Sequence, residues 1–114
     1  MTAFRVLLVV LLATLMAYTA VVIGRHGMGL LEVFFGDMAA MGWPGQFNLD
    51  FLSLLTLSGL WVAWRHRYSA AGLVLGLLAL FGGGMFLTAY LLVVSVQVRG
   101  DVREMLLGKA RAAG

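Results

Sequence analysis

Three separate stretches of this chain are apolar over the length needed to cross a lipid bilayer, namely residues 4–24, 47–65 and 69–92. A bilayer's hydrocarbon core is about 30 Å thick and a helix rises 1.5 Å per residue, so about 20 apolar residues span it. Only 11% of the residues are charged, against about 25% in soluble domains. We therefore expect one all-α domain, a small polytopic membrane bundle of three transmembrane helices. The first stretch is too long for a signal-peptide core and is interpreted as a span.

The segment 28–41 is apolar but interrupted by Glu32 and Asp37. At about 14 residues it is too short to cross the bilayer. Leu31, Phe34 and Met38 fall on one face at helical spacing, which is typical of an interfacial or re-entrant helix. A fourth transmembrane helix is the alternative.

Residues 41–46 contain the only proline and predict a turn before the second span. Asn48 is then expected to cap that span, with Asp50 in its first turn. Aromatic and basic side chains near span ends are typical of the membrane interface. The interface anchors predicted in this way are Trp43, Trp61, Trp64, Arg65 and Arg67.

The third span is expected to start near Ser69 and to reach the opposite interface at Tyr90. Residues 91–98 would then protrude beyond the hydrocarbon, with segment 28–41 available to cover them. The tail, residues 99–114, mixes charged and apolar residues and predicts an amphipathic surface helix. Arg5 and the short loop with Arg65 and Arg67 favour an N-terminus inside, whereas the bare count of basic residues favours the other side.

Small residues recur at helical spacing on the spans. In lipid such residues let helix backbones approach closely and so drive association. Two interpretations stay open: packing inside the bundle, or contact with a partner or a second copy. The glycines at 82–84 predict a kink in the third span. The predicted helix-packing residues are Ala13, Ala17, Gly72, Gly76, Ala79 and Gly83.

The sequence contains few side chains that could support catalysis. The chain has no cysteine, and its two histidines, His26 and His66, are expected on opposite sides of a three-span bundle, where they cannot share a metal or haem. We predict no catalytic residue, metal or cofactor, and no nucleic-acid partner. A polar cluster of Gln46, Asn48 and Asp50 is the one candidate site, because an ionisable group in a membrane segment is a functional hypothesis.

Residues 42–51 (GWPGQFNLDF) and 60–65 (LWVAWR) resemble a family of short bacterial inner-membrane proteins that has no assigned activity. The resemblance implies a multi-pass protein of the bacterial inner membrane. The expected function is an accessory or structural subunit that contacts membrane lipid and binds other membrane proteins or itself. The alternative is a transporter, channel or lipid-binding protein that uses Asp50 and a glycine-lined groove.

Overall fold

The computed structural model describes residues 1–113, and their regular structure is helical throughout. The helices within this range are α1 (Thr2–His26), α2 (Leu30–Ala39), α3 (Trp43–Arg65), α4 (Ala70–Gln97), α5 (Val102–Leu107) and α6 (Lys109–Ala113). Helices α1, α3 and α4 are long and apolar enough to cross a membrane. The predicted all-α bundle with three helices of membrane-spanning length and composition is thereby confirmed. The ten residues of α2 rise only about 15 Å, which is too short for a fourth span.

Helix α3 begins earlier than the sequence predicts. Gly42 is its N-cap and Pro44 lies in its first turn, where the missing N–H of proline costs nothing because that position has no intrahelical acceptor. Asn48 is therefore inside the helix rather than at its cap. Its side-chain amide instead donates to the Phe34 carbonyl of α2 at 3.0 Å. Gly45 also packs directly on the α2 backbone, so α2 lies along the start of α3.

Helix α4 turns back on itself at Gly83. The backbone there (φ 57°, ψ −139°) is not helical and separates a first arm, residues 70–82, from a second arm, residues 84–97. His66 touches both arms: a Cβ on Gly72 would lie 2.6 Å from its Cβ, and its Nε2 is 2.7 Å from the Tyr90 hydroxyl. In a straight helix Gly72 and Tyr90 would be about 27 Å apart. The two arms therefore run in opposite directions, so α4 does not cross the molecule as the one straight helix expected of residues 69–92.

This reversal corrects the predicted position of Tyr90. It lies beside His66, at the end of the molecule where α3 finishes, and not at the opposite interface. Met1 lies at this same end, because a Cβ on Gly100 would be 3.4 Å from the Met1 Cβ. We call it the tail end, because α5 and α6 are also there, and the opposite end, which holds the α1–α2 and α2–α3 loops, the far end. One face of residues 91–98, with Val94 and Val98, is covered by α1 and α5 rather than by segment 28–41, whereas Val93 and Val96 stay exposed.

A small apolar core holds the tail end together. Val94 of the second arm and Val98, the residue that follows this arm, are buried against Met105 of α5, with Phe4 of α1 packed on the same cluster. The predicted single tail helix is broken at Gly108 (φ 86°), where the chain passes so close to α3 that a Cβ would lie 2.7 Å from the Arg65 carbonyl oxygen. Two short helices result, and both stay at the level where α3 ends.

The first arm of α4 packs on α3 through glycine. A Cβ on Gly76 would lie 2.9 Å from the Gly59 carbonyl oxygen and 3.2 Å from the Ala63 Cβ, so the two backbones meet without side chains between them. Ala79 is fully buried in the same interface region. Close backbone contact over small residues is how helices associate in lipid, and this stripe is used inside the chain.

Candidate functional site

The main polar site is a cluster at the tail end, formed by Trp61, Arg65, His66 and Tyr90, which we call the tail cluster. Helix α3 presents the first two from its last turns, the α3–α4 loop provides His66, and the second arm of α4 returns Tyr90 to them. The Tyr90 ring stands edge-on to Trp61, with 6.0 Å between ring centroids. The cluster therefore joins three parts of the chain that a straight α4 would have kept apart.

Arg65 is the central donor of the tail cluster. Its Nε donates to the Met105 carbonyl at 2.6 Å, its Nη2 to the Glu104 carbonyl at 3.3 Å, and its Nη1 to the Tyr90 hydroxyl at 3.3 Å. All three acceptors are uncharged oxygens, so none of these hydrogen bonds pairs the guanidinium with an anion. One side chain thus ties α5 to α3 and to the second arm.

The Tyr90 hydroxyl is hydrogen-bonded to both Arg65 and His66. Arginine can only donate, so the Tyr90 hydroxyl accepts from Arg65 at 3.3 Å, and the same hydroxyl lies 2.7 Å from His66 Nε2. A neutral imidazole with its proton on Nδ1 lets Nε2 accept the Tyr90 proton. The pKa of His66 lies below its ordinary value of 6.5, first because burial removes water from the ring and second because Arg65 is positive.

Two further arginines act in the same way as Arg65. Arg5 donates to Ser95 Oγ at 3.0 Å and to the Ser95 carbonyl at 2.9 Å, in the last turn of α4. Arg111 donates to the Trp64 carbonyl, in the last turn of α3, and lies 4.0 Å from the centroid of the Trp64 ring. Carbonyls in the last turn of a helix have no intrahelical donor, and cations are favourable there. Each arginine thus caps the C-terminal turn of a helix other than its own.

The tail cluster predicts a pH-dependent stability. Because the pKa of His66 is lower in the folded protein, the unfolded chain binds a proton near pH 6.5 while His66 of the folded chain stays neutral. The contribution of His66 to stability is therefore fully present above pH 6.5. It falls as the pH drops from 6.5 towards the folded-state pKa. Thermal unfolding in detergent at pH values on either side of 6.5 measures this fall. His66→Gln, which offers Tyr90 a neutral acceptor that does not titrate, should remove part of it; an identical pH profile in this variant would contradict the assignment.

The predicted polar cluster of Gln46, Asn48 and Asp50 lies near the far end. Asn48 holds α2 against α3, whereas Gln46 and Asp50 are exposed. Gln46 lines a shallow depression of about 300 Å³ together with Met41 and Trp43. A larger groove of about 470 Å³, between α3 and the first arm, is lined by Thr56, Gly59, Leu60, Ala63, Leu73, Gly76, Leu77 and Leu80. Asp50 does not line this groove.

The other residues predicted from the sequence, the helix-packing residues and the interface anchors, differ in burial and in position. Gly72, Gly76, Ala79 and Gly83 are buried, whereas Ala13 and Ala17 are exposed. Trp43 is exposed at the far end and stacks on Phe47, with 6.1 Å between centroids. The remaining anchors, Trp61, Trp64, Arg65 and Arg67, are all at the tail end. Among residues 1–113, no group of three or more histidine, cysteine or acidic side chains could hold a metal ion.

Sequence reasoning missed Arg5, Ser95, Tyr90 and Arg111 as members of one end of the molecule. Their contacts all depend on the reversal at Gly83. The available signal was the apolar run 91–98, which needed a cover, combined with the three glycines before it.

Comparison of the chain with protein-family models, with curated proteins and with solved structures finds no match.

Proposed function

We propose that this protein is an accessory subunit of a membrane assembly, bound to a partner through the outer face of α1. The observation that carries the proposal is the exposure of this helix. From residue 13 to residue 26 every side chain except that of Thr19 is exposed, and Leu8 is the one buried residue of α1. The second arm covers α1 only up to the level of Leu15, which lies against Gly84.

The exposed face of α1 has the composition of a helix contact. Ala13, Ala17, Ala20 and Gly24 recur at intervals of four, three and four. At 3.6 residues per turn, this stripe lies roughly 140° around the helix from the face of Leu8 that packs on the second arm. The corresponding stripe of α4 packs on α3 inside the chain. By contrast, no other part of residues 1–113 lies within 4 Å of a Cβ placed on Gly24. A second helix can approach there closely.

The charge distribution supports a location and an orientation for this subunit. Arg5, Arg65, Arg67 and the basic residues of the tail are all at one end, and the positive-inside rule assigns that end to the cytoplasm. Both termini are then cytoplasmic. A bacterial inner membrane agrees with the resemblance of residues 42–51 and 60–65.

The proposal is tested by substituting Ala17 with isoleucine. A bulky side chain on the stripe should block the partner helix, so the species extracted in mild detergent should fall from the mass of a complex to that of the 12.3 kDa chain, with the fold retained. Met16→Ile, one position away on another exposed face, is the matched control and should leave the complex intact. Gly76→Ile should instead lower the unfolding temperature, because Gly76 packs inside the chain. A wild-type protein that is already monomeric and alone would overturn the proposal.

A cysteine at position 17 distinguishes a second copy from a different partner. The chain has no other cysteine, so oxidation yields a covalent dimer only if two α1 stripes meet. A complex without such a dimer points to a different membrane protein.

The groove between α3 and the first arm favours a second candidate function, the binding of a hydrophobic ligand such as a lipid chain. Its lining is almost entirely apolar, with Thr56 as the one polar side chain. Leu77→Trp should fill the groove and lower the affinity for such a ligand.

A further inference from the structure

The tail end collects nearly all of the positive charge of the protein. Seven of the eight lysines and arginines are there, accompanied by Asp101 and Glu104, whereas the rest of the chain has one basic and three acidic residues. A straight α4 would have carried Arg99 and the whole tail to the far end. The reversal at Gly83 therefore creates this asymmetry.

The basic residues at the tail end fall into two groups. Arg5, Arg65 and Arg111 are partly buried and donate to helix carbonyls. A second group is exposed and available to a partner outside the chain: Arg67, Arg99, Arg103 and Lys109.

Helix α5 has the form of an interfacial helix beside these exposed charges. Met105 faces the core, while Val102 and Leu106, one turn apart, are 53% and 48% exposed. The Leu106 carbonyl accepts a hydrogen bond from Trp61 Nε1 at 3.1 Å, and tryptophan near a span end marks the headgroup level. Apolar side chains at that level, flanked by basic ones, insert at the boundary between headgroups and acyl chains.

We propose that the tail end is a binding surface for anionic phospholipid headgroups. Arg99, Arg103 and Lys109 contact the phosphates, and Val102 and Leu106 insert among the first carbons of the acyl chains. Positive charge at a membrane surface favours anionic lipid over zwitterionic lipid, and the apolar pair keeps α5 at the depth where these charges reach the phosphates.

Tryptophan fluorescence tests the proposal in reconstituted vesicles. In Trp43→Phe, the two remaining tryptophans, Trp61 and Trp64, are both at the tail end. Phosphatidylglycerol brominated near the headgroup should quench them with a relative association constant about fivefold above that of brominated phosphatidylcholine. The preference should decline as salt is added.

A triple variant and two controls complete the test. Arg99→Gln, Arg103→Gln and Lys109→Gln, combined, should reduce the difference in quenching between the two lipids severalfold without changing the unfolding temperature in detergent. Arg25→Gln, at the far end, should leave the preference unchanged. A protein that retains only Trp43 should show no preference. Equal quenching by the two lipids in Trp43→Phe, or a preference that is undiminished in the triple variant, would overturn the proposal.

Discussion

Single cysteines at positions 2 and 113 should react with a membrane-impermeant maleimide from the same side of the membrane. The reversal of α4 at Gly83 returns the chain to the end where it began, whereas a straight third span would place the two termini on opposite sides. The chain has no native cysteine, and Thr2 and Ala113 are both exposed, so each label reports one site. Each cysteine is either accessible or inaccessible to the reagent from a given side, so the expected difference in labelling is all-or-none.

A third cysteine, at Met41 in the α2–α3 turn, provides the reference for the other side. Met41 is 89% exposed. In intact cells or spheroplasts with the proposed orientation, the label should reach position 41, and it should reach positions 2 and 113 only after the membrane is permeabilised. Labelling of position 113 together with position 41, and apart from position 2, would refute the reversal of α4.

Gly83→Ala should destabilise the protein through both its backbone conformation and its packing. The φ of +57° is strained for a residue with a side chain, at a cost of about 1–3 kcal/mol. The added Cβ would also lie 2.9 Å from Phe51 Cζ and 3.4 Å from Leu55 Cδ2 of α3. We expect a fall of several degrees in the unfolding temperature measured in detergent.

Gly24→Ala is the matched control for that substitution. Gly24 is helical, and a Cβ there meets nothing within 4 Å, so alanine should leave the unfolding temperature unchanged or raise it slightly through its higher helix propensity. If the two variants unfold at the same temperature, the conformation at Gly83 does not hold α4 in its reversed form.

The sequence predicts the helices of this protein better than their directions. Hydropathy and length identify α1, α3 and α4, because burial in lipid requires long apolar helices and little else. The direction of α4 depends on Gly83, and a run of glycines predicts only that a helix is weak there. The contacts with Phe51 and Leu55 that accompany the full reversal are tertiary and leave no local pattern.

For the candidate site, too, the sequence predicts the level of the residues but not their contacts. Trp61, Trp64 and Arg65 are predictable as residues of an interface, because their types are typical of that level. Their partners are not, since Arg65 binds carbonyls about 40 residues later in the chain. Pro44 illustrates a local error of the opposite kind: the sequence pattern predicts a turn at this proline, although the first turn of a helix accepts proline without loss.

The reversal of α4 also gives the molecule different widths in the two leaflets. Near the tail end the cross-section contains α1, α3 and both arms of α4, with α5 and α6 at the surface, whereas beyond Gly83 it contains only α1, α3 and the short α2. A protein that occupies more area in one leaflet than in the other is a wedge, and lipid packs around it with least strain where the membrane is convex on the wider side. Its lateral distribution in a cell should therefore depend on membrane curvature.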